Sequence, residues 1–571
     1  MDQKINTSNY AKSDLEDMLY KSIYNAVWTP NLSNSAKYID FSSIFKKIIH
    51  ALIVGIILIP LNYILNISAL ICCYVSLYRL MLIVVGDRFE NVFIKSFFEK
   101  SLNKNEKHFV QNKHKDICFT FTKTQKIDHD ASIFIKNNQS NQCIFETHAA
   151  NIDRDIIEHF KYIANEKINQ KPLLIDQAEL EYSEDLPIYS ILVPIYKEAN
   201  KIGEIISALT RINYPKSKLD VKLVIESDDI ETIHSIGNEI LPSFIEVIKV
   251  PNSYPKTKPK ALNYAVNFIK GEVVAVYDAE DIPESDQLLK VVDMFSKLPS
   301  EYICIQCKLN FFNFNENIIA EFMSIEYATL FNYILPGSES LLMPILLGGT
   351  SNHFKVEKLK AIGYWDSYNV TEDAELAIRI YMKGYKVKMI NSITLEEAPT
   401  EIKTFIKQRS RWIKGFLQTF FCYLKYLNFK HFKFHTIVFI VTNLLLFSIS
   451  MFLGPILIIS AFFIDIKFLN FNFYIFTIYH LLVSIIANPY NSKHSDMFQF
   501  KSAKIIATNK GLTSVIARYI NLKYLLCAPA YYSMHSIAFV LAIFDLLFKP
   551  FDWRKTTHGN SSTKIDKSIV K

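Results

Sequence analysis

Two kinds of hydrophobic pattern alternate along the chain. From residue 48 to residue 86 the apolar positions are nearly continuous, and Arg79 is the one Asp, Glu, Lys or Arg among them. At 1.5 Å per residue that run makes roughly 58 Å of helix, about twice the ~30 Å hydrocarbon core of a bilayer. Pro60-Leu61-Asn62 offers a break, so the pattern predicts a transmembrane pair at 44–86, with helices near 44–59 and 63–85, behind a polar segment at 1–43. Further apolar runs at 436–464, 468–486 and 524–547 predict a C-terminal membrane region at 436–548, followed by a basic tail at 549–571. Three crossings there would leave Arg554, Lys555 and Lys564 outside, against the positive-inside tendency. Either the first run splits at Gly454-Pro455 or one segment is re-entrant. The polar start and the depth of the first apolar run argue for a retained anchor rather than a cleaved signal peptide.

Between 186 and 417 the pattern changes. Short β-rich runs at 190–193, 221–226, 244–250, 272–277 and 303–309 alternate with helical periodicity, as at 202–209 and 260–269. That alternation predicts an α/β domain on a parallel sheet, with ligands bound beyond the carboxyl ends of the strands. Residues 99–185 form an accessory cytoplasmic segment in this reading.

The net charge of +7 is modest. Lys46, Lys47, Arg88, Lys95 and Lys100 flank the apolar runs instead of forming blocks, which favours contact with a lipid bilayer over nucleic acid and puts both basic ends of the helix pair on the cytoplasmic side. The eight cysteines are scattered. The one CxxC, Cys304 and Cys307, falls inside a strand-like run without a second pair, which reads as buried, reduced thiols.

The loops after the strands carry the chemistry. The run at 221–225 leads into Glu226, Asp228 and Asp229, and the run at 273–277 leads into Asp278, Glu280 and Asp281. Two strands delivering carboxylates to one sheet edge suit a hard divalent cation, Mg²⁺ or Mn²⁺, with a diphosphate completing its shell. Between them, Lys256, Lys258 and Lys260 precede or open a helix, a place that favours phosphate. Thr371-Glu372-Asp373 opens a helix at 374–383 with Thr371 as the expected N-cap. The segment 402–417 has the period of an amphipathic interfacial helix, and it places Gln408, Arg411 and Trp412 on one face.

In this order the motifs identify a family. Pro194-Ile-Tyr-Lys-Glu198, Asp278-Ala-Glu-Asp281, Thr371-Glu-Asp373 and Gln408-Arg-Ser-Arg-Trp412 resemble those of family 2 glycosyltransferases of the cellulose and hyaluronan synthase type. The likeness is closer to bacterial exopolysaccharide synthases, through Gly348–Phe354 and the Trp-x-Lys-Thr-x-His-Gly tail at 553–559. The resemblance implies a GT-A (Rossmann-like) fold at 186–417 and an inverting, metal-dependent transfer from a nucleotide-diphosphate sugar, a UDP-sugar, to a growing β-linked polysaccharide. It implies a multi-pass protein of the cell membrane with a cytoplasmic catalytic domain, and exopolysaccharide export proteins as partners. By the same resemblance Asp373 is the general base. Glu226, Asp228, Lys260, Asp278, Gln408 and Arg411 hold the donor, and Asp278 and Glu280 hold the metal. Trp412, Glu372, Asn352 and His353 meet the acceptor. Glu226 and Glu280 stand where many relatives carry Asp, which leaves the choice between Mg²⁺ and Mn²⁺ open. Three other readings compete: single-step transfer to a lipid carrier, whose enzymes generally lack QxxRW; a transporter or channel with a nucleotide-binding domain, for which there is no Walker-type loop; and a catalytically dead scaffold, against which every motif acid is present.

Overall fold

The computed structural model describes residues 35–44, 46–48, 61–101, 117–120, 132–137, 143–148, 186–424, 434–460 and 522–552. The chain divides into two compact units, Glu90–Glu184 on one side of the division and Met1–Phe89 with Asp185–Lys571 on the other. Most of the expected helix at 44–59, the run at 468–486 and the tail motif at 553–559 lie outside the described residues.

Helix α1 (Leu61–Ser101) starts directly after Pro60 and continues well beyond the expected end at residue 85. Within the unit Glu90–Glu184, β1 (Ile117–Thr120), β2 (Ser132–Asn137) and β3 (Cys143–His148) form an antiparallel sheet in that order.

The larger unit holds an eight-stranded sheet. Its elements in chain order are β4 (Tyr189–Ile195), α2 (Ile202–Thr210), β5 (Leu219–Glu226), α3 (Ile230–Gly237), β6 (Ile245–Val250), α4 (Lys258–Ala265), β7 (Val273–Val276) and β8 (Ile282–Pro283). They continue with α5 (Gln287–Lys297), β9 (Tyr302–Phe311), α6 (Ile318–Thr329), β10 (Asn352–Lys355), α7 (Val356–Ile362), α8 (Glu372–Met382) and β11 (Lys386–Glu396). The strand order is β6-β5-β4-β7-β10-β9-β11-β8. The first four strands are parallel, as expected. The sheet as a whole is mixed, not parallel: β10 runs antiparallel to both β7 and β9, and β8 antiparallel to β11. The departure comes from β10, four residues of mixed polarity that insert between two apolar strands and carry no β-rich run of their own.

Strand alternation divides the core into two layers. Tyr189, Ile191 and Val193 face a cluster with Ile202, Ile205 and Leu209, while Leu192, Val274 and Val276 face the opposite cluster with Leu262 and Phe322. This is the period-2 signature of a sheet covered on both faces.

Helix α9 (Ile402–Tyr423) follows the sheet, then α10 (Phe434–Ile440) and α11 (Phe447–Ser460), joined by a π-helical turn at Val441–Leu446, and finally α12 (Leu522–Phe548). Among the described residues four helices are long and apolar enough to cross a membrane: Ile64–Gly86, Ile318–Ser340, Thr436–Leu457 and Leu526–Phe548. The second was not expected from the sequence pattern. Its apolar window is 78% buried inside the protein, so it packs as a core helix. Most of α9 is buried as well: Lys414 Nζ donates to the carbonyls of Lys549 and Asp552 at 3.3 and 2.7 Å, and Gln418 Nε2 donates to Pro550 O at 2.8 Å. Two glycines bring α1 against the segment after α6. A Cβ on Gly86 would collide with the backbone of Tyr333, and one on Gly337 with the backbone of Leu82.

Candidate active site

A cavity of about 370 Å³ opens where the parallel strands end. β5 delivers Glu226 and β7 delivers Asp278, Ala279 and Glu280 to its wall. From α4 comes Lys258, from the start of α8 come Glu372 and Asp373, and from the end of β11 comes Glu396. Gln408, Arg411 and Trp412 line the same cavity from α9, as their i, i+3, i+4 spacing requires.

Lys258, not Lys260, faces the reaction centre. Its ammonium pairs with Asp278 and donates to Gly349 O at 2.7 Å. The nearby carboxylates outweigh its burial and push its pKa up. Lys260, expected on the donor, is fully buried instead, its Nζ 2.6 Å from Glu226 Oε2. Burial lifts the Glu226 carboxyl above its ordinary range and lowers the Lys260 ammonium, so desolvation outweighs their mutual attraction. Asp228 does not line the cavity; it sits half-exposed in an ion pair with Lys256, whose hydrogen bond holds its pKa down.

Asp281 lies behind Asp278 and Glu280. One carboxylate oxygen accepts the Asp278 amide at 2.7 Å and the Thr350 hydroxyl, while Oδ1 is buried with no partner among the described residues. Burial first, and then the charges of Asp278 and Glu280, push its carboxyl well above the carboxylate range. Glu396 is raised in the same way, by burial and then by Asp281, Asp278 and Glu280. Crowded carboxylates and an orphaned buried oxygen are what a divalent cation would relieve, so the donor set fits one. Among the described residues no three His, Cys, Asp or Glu side chains form a ready-made cage.

The Asp373 carboxylate accepts the Ala374 amide at 2.7 Å, and a methyl placed on Gly349 would sit 3.4 Å from its Oδ2. Lys258, Gly349 and Asp373 therefore form one continuous wall. Burial raises the Asp373 carboxyl; burial and then the Asp373 charge push Glu372 up to about 8. Thr371 occupies the N-cap position but makes no side-chain cap bond, because its hydroxyl faces Asn369 Oδ1 at 3.4 Å. Gln408 Oε1 is buried without a partner among the described residues.

Asn352 and His353 do not reach the cavity wall, which corrects the expectation that they meet the acceptor. Both sit on β10 in the middle of the sheet, where each face is covered. His353 Nδ1 lies 2.7 Å from the Tyr189 hydroxyl and its Nε2 3.4 Å from Cys307 Sγ, and burial lowers its pKa to about 3. Asn352 Nδ2 donates to Gly348 O at 2.7 Å and so shapes the turn before the site. Cys304 and Cys307 are free, buried thiols, as expected.

Helix α9 reaches α8 through Gly415, where a Cβ would collide with the Thr371 side chain. Gly415→Ala is expected to displace Thr371 and the adjacent acids, to cost about 1–3 kcal/mol of stability and to lower sugar transfer more than it lowers nucleotide binding. Thermal unfolding beside transfer rates checks this.

Two sequence models match the stretch that contains these residues. The sequence model described as Glycosyl transferase family 2 matches residues 190–354, and that described as Glycosyl transferase family group 2 matches residues 273–486. The chain is similar to the probable glycosyltransferase YdaM of Bacillus subtilis (strain 168), 29% identical over 241 residues, which are 41% of this chain and 56% of that protein. It is also similar to the probable glucomannan 4-beta-mannosyltransferase 1 of Arabidopsis thaliana, 26% identical over 251 residues, 42% of this chain and 45% of that protein. The chain thus spans about half the length of these curated relatives. Among solved structures, the mannosyltransferase PcManGT from Pyrobaculum calidifontis, in complex with GDP-Man and Mn²⁺, superposes with a TM-score of 0.40 at 16% identity, over 63% of this chain and 87% of that one. Residues 1–349 of S. aureus TarS superpose with a TM-score of 0.29 at 13% identity, over 62% of this chain and 90% of that one. Together the two models span the strands and acids that build the cavity, so the stretch 190–486 resembles family 2 glycosyltransferases, on a GT-A-like mixed α/β sheet.

Proposed function

We propose that this chain is a membrane-integral, metal-dependent, inverting glycosyltransferase that moves a sugar from a UDP-sugar onto a growing β-linked polysaccharide and passes the polymer across the cell membrane. The observation that carries the reading is the extent of one cavity. It is lined by Asp278 and Asp373 at the sheet edge, and also by Arg79 of α1, Asn443 of the π-turn and Met451 of α11. A polymer of hydroxylated rings needs a protein-lined path through hydrocarbon, and these apolar helices are placed to wall one. The Arabidopsis relative's name, a glucomannan 4-beta-mannosyltransferase, supports a β-linked polysaccharide product.

The chain's own residues divide the work. Lys258 and Arg411 bring positive charge to the diphosphate, and Arg411 can grip phosphate oxygens in a planar, bidentate way. Held at Asp278 and Glu280, Mg²⁺ or Mn²⁺ would add positive charge against the departing diphosphate. Asp373 accepts the proton of the acceptor hydroxyl as its oxygen bonds to the anomeric carbon and the bond to the diphosphate oxygen breaks. Trp412 offers its indole to the apolar C–H face of the acceptor sugar. Catalysis at the cytoplasmic face follows from where nucleotide sugars are made, and export proteins would take the product beyond this membrane.

The test is nucleotide release by membranes presented with a panel of nucleotide sugars, with the product sized. Consumption of one donor with long polymer supports the reading. A single sugar on a lipid carrier would favour the one-step alternative, and no consumption of any donor would overturn the enzyme. Trp412→Ala is expected to cut polymer yield at least tenfold, about 1.4 kcal/mol, with short residual products and nucleotide affinity near normal by calorimetry. Long polymer at normal yield would reduce Trp412 to a packing residue.

A further inference from the structure

Trp412 does not stand alone in the cavity wall. The Arg409 guanidinium lies over its ring, 4.5 Å from the centroid, and also over Phe405 at 5.1 Å. That guanidinium is held from two other helices. Arg409 Nη2 donates to Glu326 Oε2 of α6 at 2.5 Å, and the Tyr531 hydroxyl of α12 donates to the same oxygen at 3.1 Å. Tyr327, the next residue of α6, lies near-parallel to the Trp412 ring at 6.3 Å and 30°. Glu326, Arg409 and Trp412 all line the cavity. Arg409 is two residues from Arg411, so on a helix the two cations leave in nearly opposite directions. One serves the diphosphate in the proposed function; the other has an acid of its own.

An acid on a helix packed into the protein core is costly unless it is paired, so the pairing of Glu326 with Arg409 calls for an account. A buried or half-buried ion pair adds little stability over an apolar pair of the same size; what it adds is a fixed arrangement. Here the fixed object is the plane of an indole, since a cation held over one face of Trp restrains its rotation.

We propose that Glu326, Arg409 and Tyr531 form a clamp that sets the plane of Trp412, and that Arg409 is thereby a positioning residue for the acceptor sugar. This rests on the reading that Trp412 stacks the acceptor. The clamp ties that platform to α6 and α12, so any movement of either helix tilts it.

The experiment uses the full-length protein in membranes, with Glu326→Gln, Arg409→Gln, Arg409→Lys and the Glu326→Gln/Arg409→Gln double variant. Product length, the KM for an added oligosaccharide acceptor and the Kd for nucleotide are measured for each. Glu326→Gln and Arg409→Gln are expected to raise the acceptor KM about three- to tenfold and to shorten the product, with nucleotide Kd within about twofold of the parent. The double variant should be no worse than Arg409→Gln alone, because the two residues act through one contact. Arg409→Lys should recover part of the acceptor affinity, since it returns a cation over the ring without the fork. Unchanged acceptor KM and product length in both single variants would overturn the clamp, as would a nucleotide Kd that worsens in step with acceptor KM, which marks general loss of structure. A parent that transfers no sugar from any donor would overturn the proposed function itself, and the clamp with it.

Discussion

Asp373→Asn is expected to lower sugar transfer by about 10²–10⁴-fold, the contribution of a positioned general base, while nucleotide affinity stays near normal. The amide keeps an oxygen for the Ala374 N–H, so the local backbone has no reason to move. The helix that carries it is held independently: Arg379 grips Glu375 through Nε at 2.9 Å and Nη2 at 2.6 Å, donates to Ile362 O at 2.8 Å, and the Tyr423 hydroxyl closes on Glu375 at 2.7 Å. What is lost is the proton acceptor. The pH dependence of the parent has a definite sign. A base works when deprotonated, and burial raises the Asp373 carboxyl, so kcat should rise with pH along a limb above the ordinary carboxylate range of about 4. Burial and the Asp373 charge raise the neighbouring Glu372 carboxyl as well, so the two adjacent acids resist carrying two negative charges at once. Transfer by Asp373→Asn at close to the parent rate would assign the base elsewhere.

Asp278→Asn should be comparably damaging, by about 10²-fold or more, for two reasons that separate experimentally. The carboxylate is a candidate ligand to the divalent ion, where loss of one charged ligand forfeits several kcal/mol of charge stabilisation on the leaving group. It also anchors Lys258, which would otherwise swing away from Gly349. Chelation isolates the first effect. EDTA should inactivate the parent, and excess Mg²⁺ or Mn²⁺ should restore it. Added metal should restore the Asn variant only in part, because Lys258 remains unanchored. Full activity of the parent in excess EDTA would remove the ion from the mechanism.

How much of this was legible beforehand depended on what each residue type had to do. All five β-rich runs between 190 and 309 became strands within two residues at either end, because β4 and β7, buried on both faces, are nearly continuous apolar runs and the other three are rich in β-branched and aromatic residues. β10 carried no such run and was not foreseen. β11 did leave a signal, the alternation Lys386-Val387-Lys388-Met389, which reads as a strand once a sheet edge is known to be available. In the site, Asp278, Glu280, Asp373, Gln408, Arg411 and Trp412 converge as their positions at strand ends and on one helix face required. Lys260 was misplaced by two residues, yet two residues on a helix is more than half a turn, and Lys258 takes the facing direction. Asp281 is legible as part of the acidic run after β7, while Glu396 leaves no signal, since it joins those acids only when the end of β11 comes beside that loop. Asn352 and His353 look like exposed chemistry in a linear motif; both faces of the sheet at β10 are covered, so neither orientation leads out.

The two glycine contacts between α1 and the segment after α6 have a consequence for how the chain is made. Leu82 and Gly86 are synthesised about 250 residues before Tyr333 and Gly337, tens of seconds at ~5–20 residues per second. Until then the notch at Gly86 has nothing to close on, and the apolar stretch Ile64–Gly86 waits with one side bare. Tyr333 and Gly337 arrive as part of the catalytic domain, and Thr442, Asn443, Phe447 and Leu457, which also pack on this helix, arrive later still. Full seating of α1 is thus a late event in biogenesis, completed only after the chain has passed residue 457.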